Sequence, residues 1–160
     1  MIYILTGPIR SGKTTTIKDW VEQRMDVDGL LSPDDDNGKR FFLKIKSREE
    51  IEFEVEFKSE KTINIGRFHF LKSSFEKANS FLKTFSSEPK NYYLILDELG
   101  KLELKNEGLH ASTEILISKF LDSGKHYLIL VVRDYLLDDI VAHYNISEYK
   151  IITKDALDNL

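Results

Sequence analysis

Apolar residues follow two different rhythms along this chain. Unbroken runs at Ile2 to Leu5, Tyr92 to Leu96 and Tyr127 to Val132 have the character of strands covered on both faces of a parallel sheet. Between them the spacing becomes helical: Ile17, Trp20 and Val21 after Lys13, then Phe75, Ala78, Phe81, Leu82 and Phe85, then Ile115, Leu116, Phe120 and Leu121 within Leu109 to Leu121. Ser73 to Glu76 has the spacing of a capping box at the head of the second helix, and Ser123-Gly124 stops the third. Tyr135, Leu136, Ile140 and Val141 predict a further helix, and about Tyr149 to Ile152 a last short strand. This alternation implies an α/β fold, a mostly parallel sheet flanked by helices and joined by right-handed crossovers.

The stretch from Gly29 to Phe70 keeps period two instead. Phe41, Leu43 and Ile45 alternate with Phe42, Lys44 and Lys46, and Ile51, Phe53, Val55 and Phe57 alternate with Glu52, Glu54 and Glu56. That pattern predicts antiparallel strands with one wet face. A hairpin turned at Ser47 to Glu50 would set the lysines against the glutamate row, each pair worth about 0.2–1 kcal/mol. The expectation is one domain over residues 1–160 with an antiparallel β insertion at about 29–70.

Composition narrows the function. With 160 residues, 41% of them hydrophobic, a chain of this size buries roughly 68–70% of its unfolded surface and needs no staple. It has no cysteine, so disulfides, zinc–thiolate sites, iron–sulfur clusters and thiol nucleophiles are excluded. The 23 basic and 27 acidic side chains leave a formal charge of −4, which argues against broad nucleic-acid binding and leaves open only a local basic groove. No basic segment precedes the first apolar run, and no run approaches a membrane span. The chain is therefore expected to be soluble and cytoplasmic, with neither nucleic acid nor membrane as partner.

Gly7-Pro8-Ile9-Arg10-Ser11-Gly12-Lys13-Thr14 fits G-x-x-x-x-G-K-[ST] at every fixed position, between a predicted strand and a predicted helix. Glycine lets the backbone curl until successive N–H groups converge on phosphate oxygens, and the helix adds its positive end. Lys13 then places a cation between β- and γ-phosphates, and Thr14 offers a hydroxyl to Mg2+. Gly7 to Thr15, including Thr15 itself, is the expected binding set for a nucleoside triphosphate. Arg10 is either an arm over the phosphates or a solvated loop residue.

The run Tyr92 to Leu96 ends in Asp97-Glu98, the Walker B form of a P-loop NTPase. Strand side chains alternate, so the two acids are expected on opposite sides. Asp97 becomes the metal-side carboxylate and Glu98 the candidate general base that orients water. Asp97 to Gly100 also satisfies D-x-x-G, but no [NT]-K-x-D run accompanies it; Thr153-Lys154-Asp155 lacks the spacer. Arg133, after the run ending at Val132, is either a γ-phosphate sensor or the partner of Asp134. Lys39, Arg40 and Arg67 either close over a triphosphate or guard a solvated edge. Phe42 either stacks on a base or packs under a loop. Asp34 to Gly38 is out of register for a calcium loop and reads as a turn. His69, His110, His126 and His143 have no metal-ligand spacing, and Trp20 reads as core.

With both motifs placed, the chain resembles the small P-loop nucleoside-triphosphatase family of thermophiles and of human cancer-related nucleoside triphosphatase. The likeness rests on Gly7 to Thr15, Gly29-Leu-Leu-Ser-Pro with Gly38-Lys-Arg-Phe-Phe, Ile65-Gly66-Arg67-Phe68, and most distinctively Asp97-Glu98-Leu99-Gly100-Lys101-Leu102-Glu103-Leu104. Arg10 stands where family loops commonly have glycine, and Thr153-Lys154-Asp155 replaces a terminal Asn-Arg. The resemblance implies a RecA-like P-loop fold and magnesium-dependent hydrolysis of the terminal phosphate of several nucleoside triphosphates. It includes Glu103 without giving it a role. Hydrolysis leads, since no separate acceptor site is evident in the sequence. A nucleotide or small-metabolite kinase and a nonenzymatic nucleotide switch are the alternatives.

Overall fold

The described strands form two sheets. The computed structural model describes residues 1–86, 93–122 and 124–160. Tyr92, in the second predicted strand, and Ser123, in the predicted helix stop, lie outside them. Among the described residues the strands are β1 (Ile2–Gly7), β2 (Val27–Leu31), β3 (Phe41–Lys44), β4 (Glu50–Glu52), β5 (Glu54–Val55), β6 (Thr62–Ile65), β7 (Phe68–Leu71), β8 (Tyr93–Leu99), β9 (Tyr127–Arg133) and β10 (Lys150–Ile152). The α-helices are α1 (Lys13–Glu22), α2 (Lys72–Lys83), α3 (His110–Leu121) and α4 (Leu137–His143). None of them is long and apolar enough to cross a membrane.

The main sheet has the order β10-β1-β9-β8-β2-β3-β4, parallel from β10 to β2 and antiparallel beyond. Unbroken apolar strands suit it because both faces are covered. Ile4, Leu94, Leu96, Leu128 and Leu130 pack with Phe75, Leu82 and Leu116 of α2 and α3 on one side. Leu5, Ile95, Ile129 and Val131 pack with Ile17, Trp20 and Val21 of α1 on the other. Gly29 permits β2 to lie against β8: its φ is +130°, and a Cβ there would come within 2.2 Å of the Ile95 carbonyl oxygen.

The β-rich stretch departs from the single half-wet hairpin that period two suggested. β2 belongs to the parallel sheet, β3 and β4 extend its edge, and β5-β7-β6 form a separate antiparallel sheet. β3 is dry on both faces, since Phe42 and Leu43 are buried in different clusters. The lysine and glutamate rows do not zip. Lys44 meets Glu49 in the turn at 2.7 Å and Lys39 meets Glu56 at 2.9 Å, because the chain leaves the first sheet after Glu52. The capping box does not form either: α2 follows β7 directly and starts at Lys72, with no side-chain cap, while the Ser74 hydroxyl donates to the Glu52 carbonyl. Asp34 to Gly38 is a turn, closed by Asp35 Oδ1 accepting from the N–H groups of Asn37 and Lys39.

Candidate active site

The parallel register brings Gly7 beside Arg133 at the carboxyl edge of the sheet, where open α/β sheets collect ligands. From Gly7 the chain turns into α1 through two left-handed residues, Arg10 (φ +56°) and Gly12 (φ +81°). Lys13 Nζ curls back over the turn and donates to the carbonyls of Gly7 (2.9 Å) and Pro8 (2.7 Å) and to Ser11 Oγ (3.3 Å). Partial burial lowers its pKa, against the pull of nearby Asp97. Lys154 Nζ reaches the same loop and donates to the Ser11 carbonyl at 2.7 Å. Its segment is held against α1 by Leu157, which shares a cluster with Ile17.

Asp97 lies beneath this loop, 1% exposed. Its Oδ2 accepts from Thr14 Oγ1 at 2.9 Å and from the Ser32 N–H at 3.0 Å, while Oδ1 is buried without a partner. Burial, reinforced by the neighbouring charge of Glu98, pushes its pKa up to about 6 despite those two donors. Leu96 pairs with Leu130 and Leu99 with Val132, so Asp97 and Glu98 together stand against Val131. This β-bulge, with Glu98 at φ +60°, breaks the regular alternation of side chains at the two acids. Glu98 Oε2 forms an ion pair with Arg40 Nη1 at 2.8 Å, and Oε1 lies 3.9 Å from Arg133 Nη2. The two acids meet different partners, yet both border one cavity, and a bulge interrupts the simple alternation expected of them.

Glu103 acts just downstream. It is 4% exposed, and its carboxylate accepts from the Gly100 N–H (2.7 Å) and the Leu109 N–H (2.8 Å), tying the end of β8 to the head of α3. Burial outweighs both bonds and raises its pKa to about 7. The other candidates fall into place around this core. Arg10 is exposed. Asp134 accepts from the N–H of Tyr135, and Arg133 points toward Glu98. Arg67 lies over the Phe68 ring at 5.1 Å, and Phe42 stacks on Phe53 with centroids 3.9 Å apart, so Phe42 packs. Trp20 meets Tyr93 edge-on in the core. Among the described residues no group of three His, Cys, Asp or Glu side chains forms a metal cluster of its own.

Asp97 and Glu98 also line a cavity of about 280 Å³ between the end of β8 and the three-stranded sheet. Its walls include Phe42, Phe53, Phe68 and Phe70. The loop from Gly7 to Thr15 is not among its walls.

The sequence profile of a family described as NTPase matches residues 2–159. The chain belongs to that family. Two solved structures share its fold. The crystal structure of THEP1 from the hyperthermophile Aquifex aeolicus superposes with a TM-score of 0.74 at 17% identity, over 99% of this chain and 96% of that one. The solution structure of a human cancer-related nucleoside triphosphatase gives 0.68 at 19% identity, over 99% and 93%. No curated protein sequence matches significantly.

Within this NTPase family fold, two residues quoted in the sequence motifs take positions that the motifs did not give them. Ser32 follows β2 and gives Asp97 a backbone donor. Its place just beyond a strand's carboxyl end was a usable signal. Thr153-Lys154-Asp155 stands out in the sequence, but the contact of Lys154 with the loop depends on the packing of the C-terminal segment on α1.

Proposed function

We propose that this protein is a magnesium-dependent nucleoside triphosphatase that releases the terminal phosphate of ATP, GTP and other nucleoside triphosphates with little selectivity for the base. One observation carries the reading: Thr14 of the glycine-bounded loop is hydrogen-bonded to Asp97, whose second oxygen is buried and unpartnered. A buried orphan carboxylate oxygen is costly unless something occupies it. A hard divalent cation that keeps several waters and takes its other oxygens from phosphates fits such a donor set.

Gly7 to Thr15 hold the polyphosphate through backbone N–H groups and the head of α1. Lys13 exchanges the carbonyls of Gly7 and Pro8 for phosphate oxygens, and Lys154 steadies the loop from behind. Thr14 and Asp97 would hold Mg2+, which would offset the negative charge of the phosphates. Glu98 orients a water molecule and takes its proton. Arg40 and Arg133, both beside Glu98, offset the negative charge gathering at the terminal phosphate. Weak base selectivity accords with the lack of an [NT]-K-x-D run in the sequence.

Phosphate release should be measured with ATP, GTP, CTP and UTP, with Mg2+ and with excess chelator. Release from all four that stops with chelator is expected. No release from any of them would refute the proposal.

A further inference from the structure

Glu98, the proposed base, has a backbone that only its surroundings can hold. Its φ of +60° lies in the left-handed region, which is costly for a residue other than glycine and persists only where neighbouring structure over-determines it. Arg40 meets its carboxylate at 2.8 Å and Arg133 stands 3.9 Å away, but these contacts orient the side chain, not the main chain. The sheet holds the main chain from both ends of the bulge, where Leu96 pairs with Leu130 and Leu99 with Val132. β8 ends at Leu99, and the next fixed point is the Gly100 N–H, which donates to Glu103 Oε2 at 2.7 Å.

Glu103 is built into the fold as the anchor for that N–H. It is buried, and its Oε1 accepts from the Leu109 N–H at 2.8 Å, so one carboxylate joins the residue after β8 to the residue before α3. The far end of this bridge is itself pinned. Asn79 of α2 donates through Nδ2 to the Gly108 carbonyl at 2.8 Å and accepts at Oδ1 from the Ser112 N–H at 3.0 Å. Gly108, at φ +63°, leaves the space that the carboxylate fills, since a Cβ there would come within 2.4 Å of Oε1. Burial makes the ionised group costly and raises the pKa of Glu103 to about 7, with the Glu98 charge adding in the same direction. A neutral amide would avoid that cost but would set an NH2 group against one of the two donors. The triphosphatase mechanism leaves Glu103 unused.

We propose that Glu103 is a positioning residue for phosphate release: by tying the Gly100 N–H to the head of α3, it holds the Glu98 backbone in its left-handed conformation and keeps that carboxylate on the attacking water. The inference rests on the reading of Glu98 as the base and names what sets the base in place. The Glu103 carboxylate accepts from the backbone at Gly100 and Leu109, outside the loop from Gly7 to Thr15, so its loss acts on turnover and spares nucleotide binding. The run from Asp97 to Leu104 then works as one unit, in which Asp97 takes the metal, Glu98 takes the proton and Glu103 fixes the backbone that follows them.

The test is a double-mutant cycle between Glu103→Gln and Glu98→Gln. In single-turnover phosphate release with Mg-ATP, Glu103→Gln alone should slow the reaction about 10–100-fold, the scale of a misplaced catalytic group. Its affinity for a nonhydrolysable Mg-ATP analogue should match that of the wild type, and its thermal unfolding should remain cooperative. Added to Glu98→Gln, the same substitution should cost no further turnover, because its effect passes through the Glu98 carboxylate. Gly108→Ala, which displaces Oε1 while keeping the carboxylate, should slow release in the same way, and it takes the place of Glu103→Gln in the cycle if that variant does not fold. An unchanged rate in the folded variant overturns the proposal. So does an equal loss in the wild-type and Glu98→Gln backgrounds, which would make Glu103 a determinant of the fold alone, or a loss of nucleotide affinity that accounts for the slower rate. All three outcomes leave the triphosphatase reading intact. Equal rates in the wild type and Glu98→Gln remove the base, and no release by the wild type refutes the triphosphatase reading; the positioning role falls with either.

Discussion

Thr14 Oγ1 donates to Asp97 Oδ2 over 2.9 Å, joining the first turn of α1 to the end of β8 across 83 positions in the sequence. This bond holds Asp97, the carboxylate proposed to take the metal, under the loop from Gly7 to Thr15. Asp97→Asn keeps an amide oxygen for Thr14 and the Ser32 N–H but removes the charge. The expected result is a folded protein whose apparent Mg2+ affinity in phosphate release falls about 10–100-fold. Unchanged metal dependence would remove Asp97 from the site.

Lys13 Nζ donates to the Gly7 and Pro8 carbonyls of its own loop. Lys13→Ala removes charge-assisted bonds to phosphate worth about 1.5–3 kcal/mol, so triphosphate affinity should fall by roughly 10–100-fold or more. Titration calorimetry measures this directly.

Glu98→Gln preserves size and can still accept from Arg40, but it cannot take a proton. Binding should be retained while turnover drops about 10²–10⁴-fold. Single-turnover phosphate release checks the outcome, and equal rates would exclude Glu98 as the base.

Glu103 holds its proton more tightly folded than unfolded, at about 7 against 4.5. The native state therefore carries more protons between those values, and stability falls as pH rises through that window. The contribution is full below about 4.5 and lost above about 7, on the order of 3 kcal/mol. Glu103→Gln does not titrate, so its stability relative to the wild type should improve between about pH 5 and about pH 7.5 in urea unfolding. A flat difference would show that the two N–H donors keep Glu103 ionised throughout.

Gly29→Ala would set a Cβ 2.2 Å from the Ile95 carbonyl oxygen in the middle of the β2–β8 pair. The backbone must separate, and a loss of about 3 kcal/mol or more is expected in denaturant unfolding.

Much of this was legible in the sequence, where neighbouring residues carry the information. Ile2 to Leu5, the loop to Thr14, and Ile17 with Trp20 and Val21 declare strand, turn and helix by local pattern alone. Asp97 at the end of an apolar run declares its edge of the sheet. What stayed hidden depends on distant partners. Glu98 is aimed by an extra residue opposite Val131 on another strand, and Arg40 reaches it only because β3 joins the sheet edge. Phe42 looked half-wet because period two cannot reveal that the three-stranded sheet and α2 cover its other face. Ser73 falls inside α2, which starts at Lys72 straight after β7 and leaves the capping pattern unused, and the cavity itself exists only once the two sheets meet.

The central claim is that the loop from Gly7 to Thr15, backed by Asp97, grips a magnesium-bound triphosphate. Calorimetric titration of the wild type and Lys13→Ala with a nonhydrolysable Mg-ATP analogue tests it most directly. One site per chain in the wild type, and binding weakened by roughly 10–100-fold or lost in the variant, is the predicted result. No heat in the wild type, or equal affinity in both proteins, would contradict it.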